Sequence, residues 1–191
     1  MDSLTVHLPA SAPLTDDQFY DLCRANPDLR IERNANGELV FMSPTGGETG
    51  KRNAKLTARF VIWSEQANLG EVFDSSTCFK LPNGAERSPD VAWVRQDRWD
   101  ALTPEQKEKF PPIAPDFVLE LMSPSDTLEA TQAKMREYIE NGVKLGWLVN
   151  RRDRQVEIYR AGQAVETLQA PGRLSGETIL SNFTLNLEWF W

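Results

Sequence analysis

Apolar and polar positions recur along this chain in two periods, and their succession predicts a series of elements. Over residues 15–25, TDDQFYDLCRA, the apolar Phe19, Leu22 and Cys23 fall at helical spacing behind Thr15, a capping residue type, and Pro27 bars continuation, so a short first helix is predicted. LRIERNANGELVFM then sets Asn36-Gly37 between two strand-like arms, a strong hairpin signal. Beyond SPTGGETG, Leu56, Phe60, Trp63 and Ala67 mark the apolar stripe of a long helix with Gly70 as its expected stop. EVFDSS, TCFKLP and SPDVAWV are expected as a meander, with Asn83-Gly84 turning between the last two. The charged segment RQDRWDALTPEQKEKFPP predicts a short helix between loops and is a candidate cover for a site.

The second half reads as a crossover unit. PDFVLELM is a near-continuous apolar strand, SPSD is expected to cap a helix running to Tyr138–Glu140, Asn141-Gly142 ends it, and LGWLVN is a second buried strand. Strands joined in this way pair in parallel with a right-handed connection, whereas the hairpin and meander supply antiparallel pairs, so a mixed sheet is predicted. QVEIYR and AVETLQ form a further hairpin, and FTLNLEWFW a last apolar strand. The expectation is an α/β protein in which a mixed β-sheet is flanked by helices, one domain over 1–191 with 1–14 as a flexible leader.

Composition narrows the chemistry. A chain of 191 residues with 40% hydrophobic content can bury one core. Its longest apolar runs, FVIW and FVLELM, are far shorter than the ~20 residues of a membrane-spanning helix. The N-terminus lacks the basic start and apolar stretch of a secretory signal, so a cytoplasmic location is expected. Cys23 and Cys78 are expected to be reduced and without a role. The one histidine, His7, lies in the leader, which argues against Ser-His-Asp hydrolysis and histidine-liganded zinc; a metal here should have oxygen ligands. A net charge of −7 excludes a surface that wraps nucleic acid everywhere and permits only a local basic stripe.

Glu120 most needs explaining. On its strand Phe117, Leu119 and Leu121 share one face, Val118, Glu120 and Met122 the other, and both faces look buried. A buried carboxylate needs a cation or hydrogen bonds to offset desolvation, or an opening to solvent at the strand's end. Asp90 follows Pro89 at the start of DVAWV, and alone it would be a strand-edge residue. Two such carboxylates at the ends of neighbouring strands can form an oxygen site suited to Mg²⁺ or Mn²⁺. Lys134 flanks the stripe of Leu128, Thr131, Met135 and Ile139, from which its stem can carry an ammonium to the sheet's end; most lysines so placed are simply solvated.

Pro89-Asp90, Glu120 in DFVLELMSPSD, and Lys134 and Tyr138 in KMREYIENGVKLGWLVN together resemble an uncharacterised branch of the PD-(D/E)XK nuclease superfamily grouped with restriction endonucleases, over nearly the whole chain. The resemblance implies a restriction-endonuclease-like fold and a metal-dependent endonuclease acting on DNA. It assigns Asp90 and Glu120 as ligands of Mg²⁺ or Mn²⁺, the Leu121 carbonyl as a further metal ligand, and Lys134 as the cation that positions the attacking water. Met122 occupies the superfamily's usual lysine position, and the branch carries its lysine on the following helix, which matches Lys134. Glu32, ahead of the hairpin turn, resembles an auxiliary acidic residue, with Glu48 a weaker candidate. The alternative is a catalytically degenerate nuclease fold that binds nucleic acid or protein without cutting.

GGETGKR is not a nucleotide-binding phosphate loop, because Thr45 stands where the first glycine is needed and Arg52 fills the Ser/Thr position; no nucleotide cofactor is expected. Lys51, Lys55 and Arg59, with Arg52 nearby, form a basic helix flank that either tracks phosphates or is solvated. The terminal LEWFW either docks into the core or covers a partner subunit, which raises a homodimer as an expectation.

Overall fold

The computed structural model describes residues 4–9 and 11–191. The chain opens with β1 (Leu4–Val6) and α1 (Asp16–Ala25), then the hairpin β2 (Arg30–Arg33) and β3 (Leu39–Met42), then the long α2 (Gly47–Ala67). Next come β4 (Gly70–Asp74), β5 (Phe79–Lys80), β6 (Glu86–Arg87) and β7 (Val91–Arg95), followed by the short α3 (Gln96–Asp100) and α4 (Pro104–Glu108). The crossover is β8 (Phe117–Leu121), α5 (Leu128–Glu140) and β9 (Leu145–Asn150), and β10 (Gln155–Arg160), β11 (Glu166–Gln169), β12 (Arg173–Ser175) and β13 (Thr184–Asn186) complete the chain.

The result is the expected mixed α/β architecture, with the strands divided among three sheets. The principal sheet has the order β11-β10-β9-β8-β7-β4, a second has β1-β3-β2-β6-β5, and β12 pairs with β13 alone. Within the principal sheet β8 and β9 are parallel, as the crossover predicts, and the other pairs are antiparallel. Thr15 caps α1 and Asn141 ends α5 before Gly142 at φ +103, both as read from the sequence, and Gln18 adds a reciprocal bond to the Thr15 N–H.

Four local expectations are corrected. Helix α2 ends at Asn68, whose amide tolerates the left-handed φ of 51, before Gly70 is reached. Gly70 serves β4, where an added Cβ would sit 2.3 Å from the Val94 carbonyl and 2.6 Å from the Trp93 ring. TCFKLP does not join a meander, since Asn83-Gly84 turns β5 into β6, both in the second sheet, and the chain changes sheet at Ser88–Asp90, where Pro89 can donate no ladder bond. The segment of α3 and α4 leaves from the far end of β7, with Trp99 of α3 packed on Phe73 and Phe110, just beyond α4, on Phe19, remote from Asp90 at the strand's start, so it does not cover the site. Finally, Thr127 caps α5, accepting from the Ala130 N–H, while Ser123–Asp126 closes a turn of its own.

Of the expected leader 1–14, residues 1–3 and 10 lie outside the described residues, and Leu4–Val6 pairs with Leu39–Phe41 as an edge strand that the sequence reading did not include. Leu185, Leu187 and Phe190 of the tail are buried with Phe60, Phe117 and Trp147, while Trp189 and Trp191 are half-buried against the same core. Burying side chains of this size contributes roughly 1.5–3 kcal/mol each and fixes the principal sheet as a rigid platform. No helix among the described residues is long and apolar enough to cross a membrane, and both cysteines are free thiols.

Candidate active site

The two faces of β8 part as its alternation demands. Phe117, Leu119 and Leu121 enter the core shared with α2 and the tail, whereas Val118 and Met122 pack on Met135 and Tyr138 of α5. Glu120 lies on this second face, beneath α5, and is only 8% exposed. Val91 pairs with Leu119, so the register continued by one residue sets Asp90 opposite Glu120 at the end of the sheet. The ladder bond that the next residue of β7 would have made comes instead from a side chain: Asp90 Oδ2 accepts from the Leu121 N–H at 2.8 Å. In an extended strand a residue's N–H and C=O point to the same edge, so the Leu121 carbonyl also faces the Asp90 side. From α2, Asn53 Nδ2 donates to Asp90 Oδ1 at 2.7 Å.

Helix α5 carries Lys134 and Tyr138 one turn apart, both toward Glu120. Lys134 Nζ lies 2.9 Å from Glu120 Oε1 and 2.8 Å from Glu32 Oε1, and the Tyr138 hydroxyl donates to Glu120 Oε1 at 3.0 Å. Glu32 arrives from β2 of the second sheet, and its oxygens are otherwise engaged: Oε1 accepts from the Ser88 N–H at 2.9 Å and Oε2 from Arg87 Nη1 at 3.0 Å. Arg87 in turn donates through Nε to Glu137 Oε2 at 2.6 Å. The structure therefore brings Asp90, Glu120, Lys134, Glu32 and Leu121 together. Glu48 instead pairs with Lys51 and Arg52 on α2.

These environments divide the carboxylates. Burial opposes ionisation of Glu32, but Lys134, Arg87 and the Ser88 N–H outweigh it and hold its carboxyl below the usual value, so Glu32 is an anion that anchors cations. Burial pushes Asp90 up against the bonds from Leu121 and Asn53 and the charge of Lys134. Burial, resisted by Lys134 but reinforced by Asp90 and Glu32, raises Glu120 to about 7. For Lys134, burial alone would favour the neutral amine, yet Glu120 and Glu32 raise its affinity for the proton. Asp90 and Glu120 are thus a pair whose negative charge is incompletely neutralised.

An oxygen-liganded cation fits this pair. Glu120 Oε2 makes no hydrogen bond among the described residues, and each Asp90 oxygen accepts a single bond, which leaves lone pairs for coordination. No group of three or more His, Cys, Asp or Glu among the described residues could hold a metal ion. A small divalent ion here would rest on two carboxylates, a backbone carbonyl and waters, a set that Mg²⁺ accepts because it keeps much of its hydration. A groove of ≈ 590 Å³ opens over Asp90, Glu120 and Lys134, between β2, β3 and the start of α5.

Asn53, Arg87 and Ser88 were not singled out from the sequence. Arg87 and Ser88 stand directly before Pro89-Asp90, a local signal that could have found them, whereas Asn53 meets Asp90 only through the packing of α2.

No curated protein matches the chain. Among solved structures, it is similar to a putative nuclease belonging to DUF820 from Anabaena variabilis ATCC 29413, with a TM-score of 0.77 at 18% identity over 92% of this chain and 96% of that one. That likeness establishes the fold, and it agrees with the resemblance drawn from Asp90, Glu120 and Lys134. Over residues 16–188 the chain matches the Uma2 family, described as putative restriction endonuclease, and it belongs to that family.

Proposed function

We propose that the protein is a divalent-metal-dependent endonuclease that hydrolyses phosphodiester bonds in DNA. The observation that carries this is the convergence of Asp90 and Glu120 at one sheet end with Lys134 Nζ 2.9 Å from Glu120. Family membership and the nuclease-like fold support nuclease chemistry in general; the metal is argued from the donor set of Asp90, Glu120 and the Leu121 carbonyl, and DNA as substrate from the resemblance to the PD-(D/E)XK superfamily.

Asp90 and Glu120, with the Leu121 carbonyl, would hold Mg²⁺ or Mn²⁺, and an ion so bound supplies Lewis-acid polarisation and a more acidic water. The protein's own groups do the rest. Asn53 and the Leu121 N–H fix the Asp90 carboxylate. Tyr138 and Lys134 both engage Glu120 Oε1, which leaves Oε2 available to a ligand in the groove that Glu120 lines. Lys134 remains protonated between its two carboxylates, so it donates hydrogen bonds and does not serve as a base. Its ammonium orients the attacking water and stabilises negative charge that develops on the phosphorane oxygens. Glu32 holds that ammonium in place, a role of anchor, where the sequence resemblance implied an auxiliary ligand. No covalent intermediate with the protein is needed.

Isothermal titration of Mn²⁺ and Mg²⁺ into wild type and Glu120→Ala, followed by plasmid nicking with the same samples, tests this. Saturable binding and nicking by wild type, both lost in Glu120→Ala, are expected. A wild type that binds neither ion would overturn the proposal in favour of a nuclease fold that binds without cutting, whose metal-independent melting temperature would also not respond to the ions.

A further inference from the structure

A polyanion cannot be drawn to this groove by its floor, where Glu32, Asp90 and Glu120 outnumber Lys134 and Arg87, nor by a chain of net charge −7. Attraction has to come from a local concentration of cations. The basic flank of α2 does not supply it. Lys51 pairs with Glu48 at 2.6 Å, while Lys55 Nζ and the Arg59 guanidinium sit 5.5 and 4.1 Å from the centre of the Trp189 ring.

A second cavity, ≈ 380 Å³, adjoins the groove and shares Thr49, Leu121 and Ser123 with it. Among the described residues three arginines, Arg52, Arg151 and Arg152, are in its wall, and no acidic residue lines it. Two of them are held in position: Arg52 Nη1 donates to the Glu48 carbonyl at 2.9 Å and also pairs with the Glu48 carboxylate at 2.6 Å, which offsets part of its charge, and Arg152 Nη2 donates to the Pro124 carbonyl at 3.1 Å, so Arg151 and Arg152 supply most of the pocket's attraction. Arg151 has no ion-pair or side-chain hydrogen-bond partner among the described residues, and both Arg151 and Arg152 are exposed. They come from the β9–β10 turn, Arg151-Arg152-Asp153-Arg154, in which Arg154 takes a φ of +53, a conformation for which Gly or Asn is the less strained choice. The turn is tied by Asn150, whose Oδ1 accepts from the Asp153 N–H at 3.2 Å and whose Nδ2 donates to Asp153 Oδ2 at 2.8 Å, and it presents two consecutive arginines beside the strand end where Leu121 meets Asp90.

We infer that the Arg52–Arg151–Arg152 pocket holds a backbone phosphate of the nucleic-acid strand, next to the phosphate positioned over Asp90 and Glu120. This rests on the proposed nuclease function. Guanidinium groups suit the task because their planar donors bind phosphate oxygens in pairs and keep their charge at any working pH.

The test is fluorescence anisotropy with a labelled DNA duplex of about 20 base pairs, in Ca²⁺ solution, over a series of salt concentrations. It compares wild type, Arg151→Ala/Arg152→Ala and Lys55→Ala/Arg59→Ala, with unfolding midpoints as a check that each variant folds. Wild-type binding is expected to weaken at least ~10-fold in the hairpin variant, and the slope of log K against log salt to shrink by about 1–2. The α2 variant is expected to keep the wild-type slope. Wild-type binding with an unchanged slope in the hairpin variant would overturn this inference and leave the nuclease reading standing, whereas a wild type that binds no duplex would overturn both. A parallel titration with inorganic phosphate separates the other source of the same chemistry: phosphate binding that depends on Arg151 and Arg152, with duplex binding that does not, would assign the pocket to a free anion and overturn the inference.

Discussion

Lys134 Nζ and Glu32 Oε1 meet at 2.8 Å across 102 residues of sequence, joining α5 to the second sheet directly above Glu120. The same ammonium contacts Glu120, and among the described residues it is the only cation in ion-pair contact with that carboxylate. A lysine so placed repels a second cation while it serves catalysis. Lys134→Met is therefore expected to retain or increase Mn²⁺ affinity, since Glu120 is relieved of its competitor, and to lose nicking by roughly 10²-fold or more. Without metal the variant should also be less stable by about 3 kcal/mol, the cost of leaving buried carboxylates unpaired. Titration, nicking and melting on one preparation check this. Intact nicking in a folded variant that still binds Mn²⁺ would show that Lys134 is structural only.

Glu32 separates a ligand from an anchor. Both its oxygens are occupied, by Lys134 and Ser88 on one and Arg87 on the other. Glu32→Gln keeps the shape and removes the charge that holds Lys134. The expected result is nicking reduced by roughly 10–100-fold with Mn²⁺ affinity nearly unchanged. A matching collapse of Mn²⁺ affinity would make Glu32 a metal ligand.

Asn53 is the least obvious member of the site. Its Nδ2 fixes Asp90 Oδ1, while its own Oδ1 is buried without a partner among the described residues, so this amide is oriented for the carboxylate. Asn53→Ala is expected to weaken Mn²⁺ binding by roughly 10-fold, as loss of a group that orients a ligand does. Asn53→Asp, which adds a carboxylate beside Asp90, should bind Mn²⁺ more tightly than wild type yet melt lower in its absence. Equal Mn²⁺ affinity in all three proteins would remove Asn53 from the site.

Much of the site was legible because it lies where two local patterns intersect. The period-2 alternation of FVLELM already placed Glu120 among apolar neighbours, and the helical stripe after SPSD placed Lys134 beside the core. Local pattern was silent where the partner comes from a distant segment. Nothing in GKRNAKL tells Asn53 from its neighbours, and only the packing of α2 on the sheet brings it to Asp90. The meander failed for a similar reason. Phe79-Lys80 and Glu86-Arg87 look like ordinary strands, and which sheet they join is decided by Pro89 and by the pairing of Glu86 with Arg33, not by their own composition. The extra strand Leu4–Val6 is too short to show a period, and it exists because β3 offers an open edge.

Away from the site, Glu86 links stability to pH. It is 1% exposed, with Arg33 Nε 2.7 Å from its Oε2 and with Asp16, itself bonded to Lys80, on the far side of that arginine. Burial pushes its carboxyl up to about 7, with Asp16 adding to the rise and the attraction of Arg33 insufficient to cancel it. The folded protein therefore binds this proton more tightly than the unfolded chain, whose glutamate titrates near 4.5. The group's contribution is fully present below about pH 4.5 and is lost as pH rises through about 7. Glu86→Gln keeps the size of the side chain and cannot titrate, so the stability of wild type relative to this variant is expected to fall between about pH 5 and pH 8 by on the order of 2 kcal/mol. Urea unfolding of both proteins in EDTA across that range measures the difference directly. Parallel curves would show that Glu86 stays ionised in the folded protein, with Arg33 neutralising it throughout.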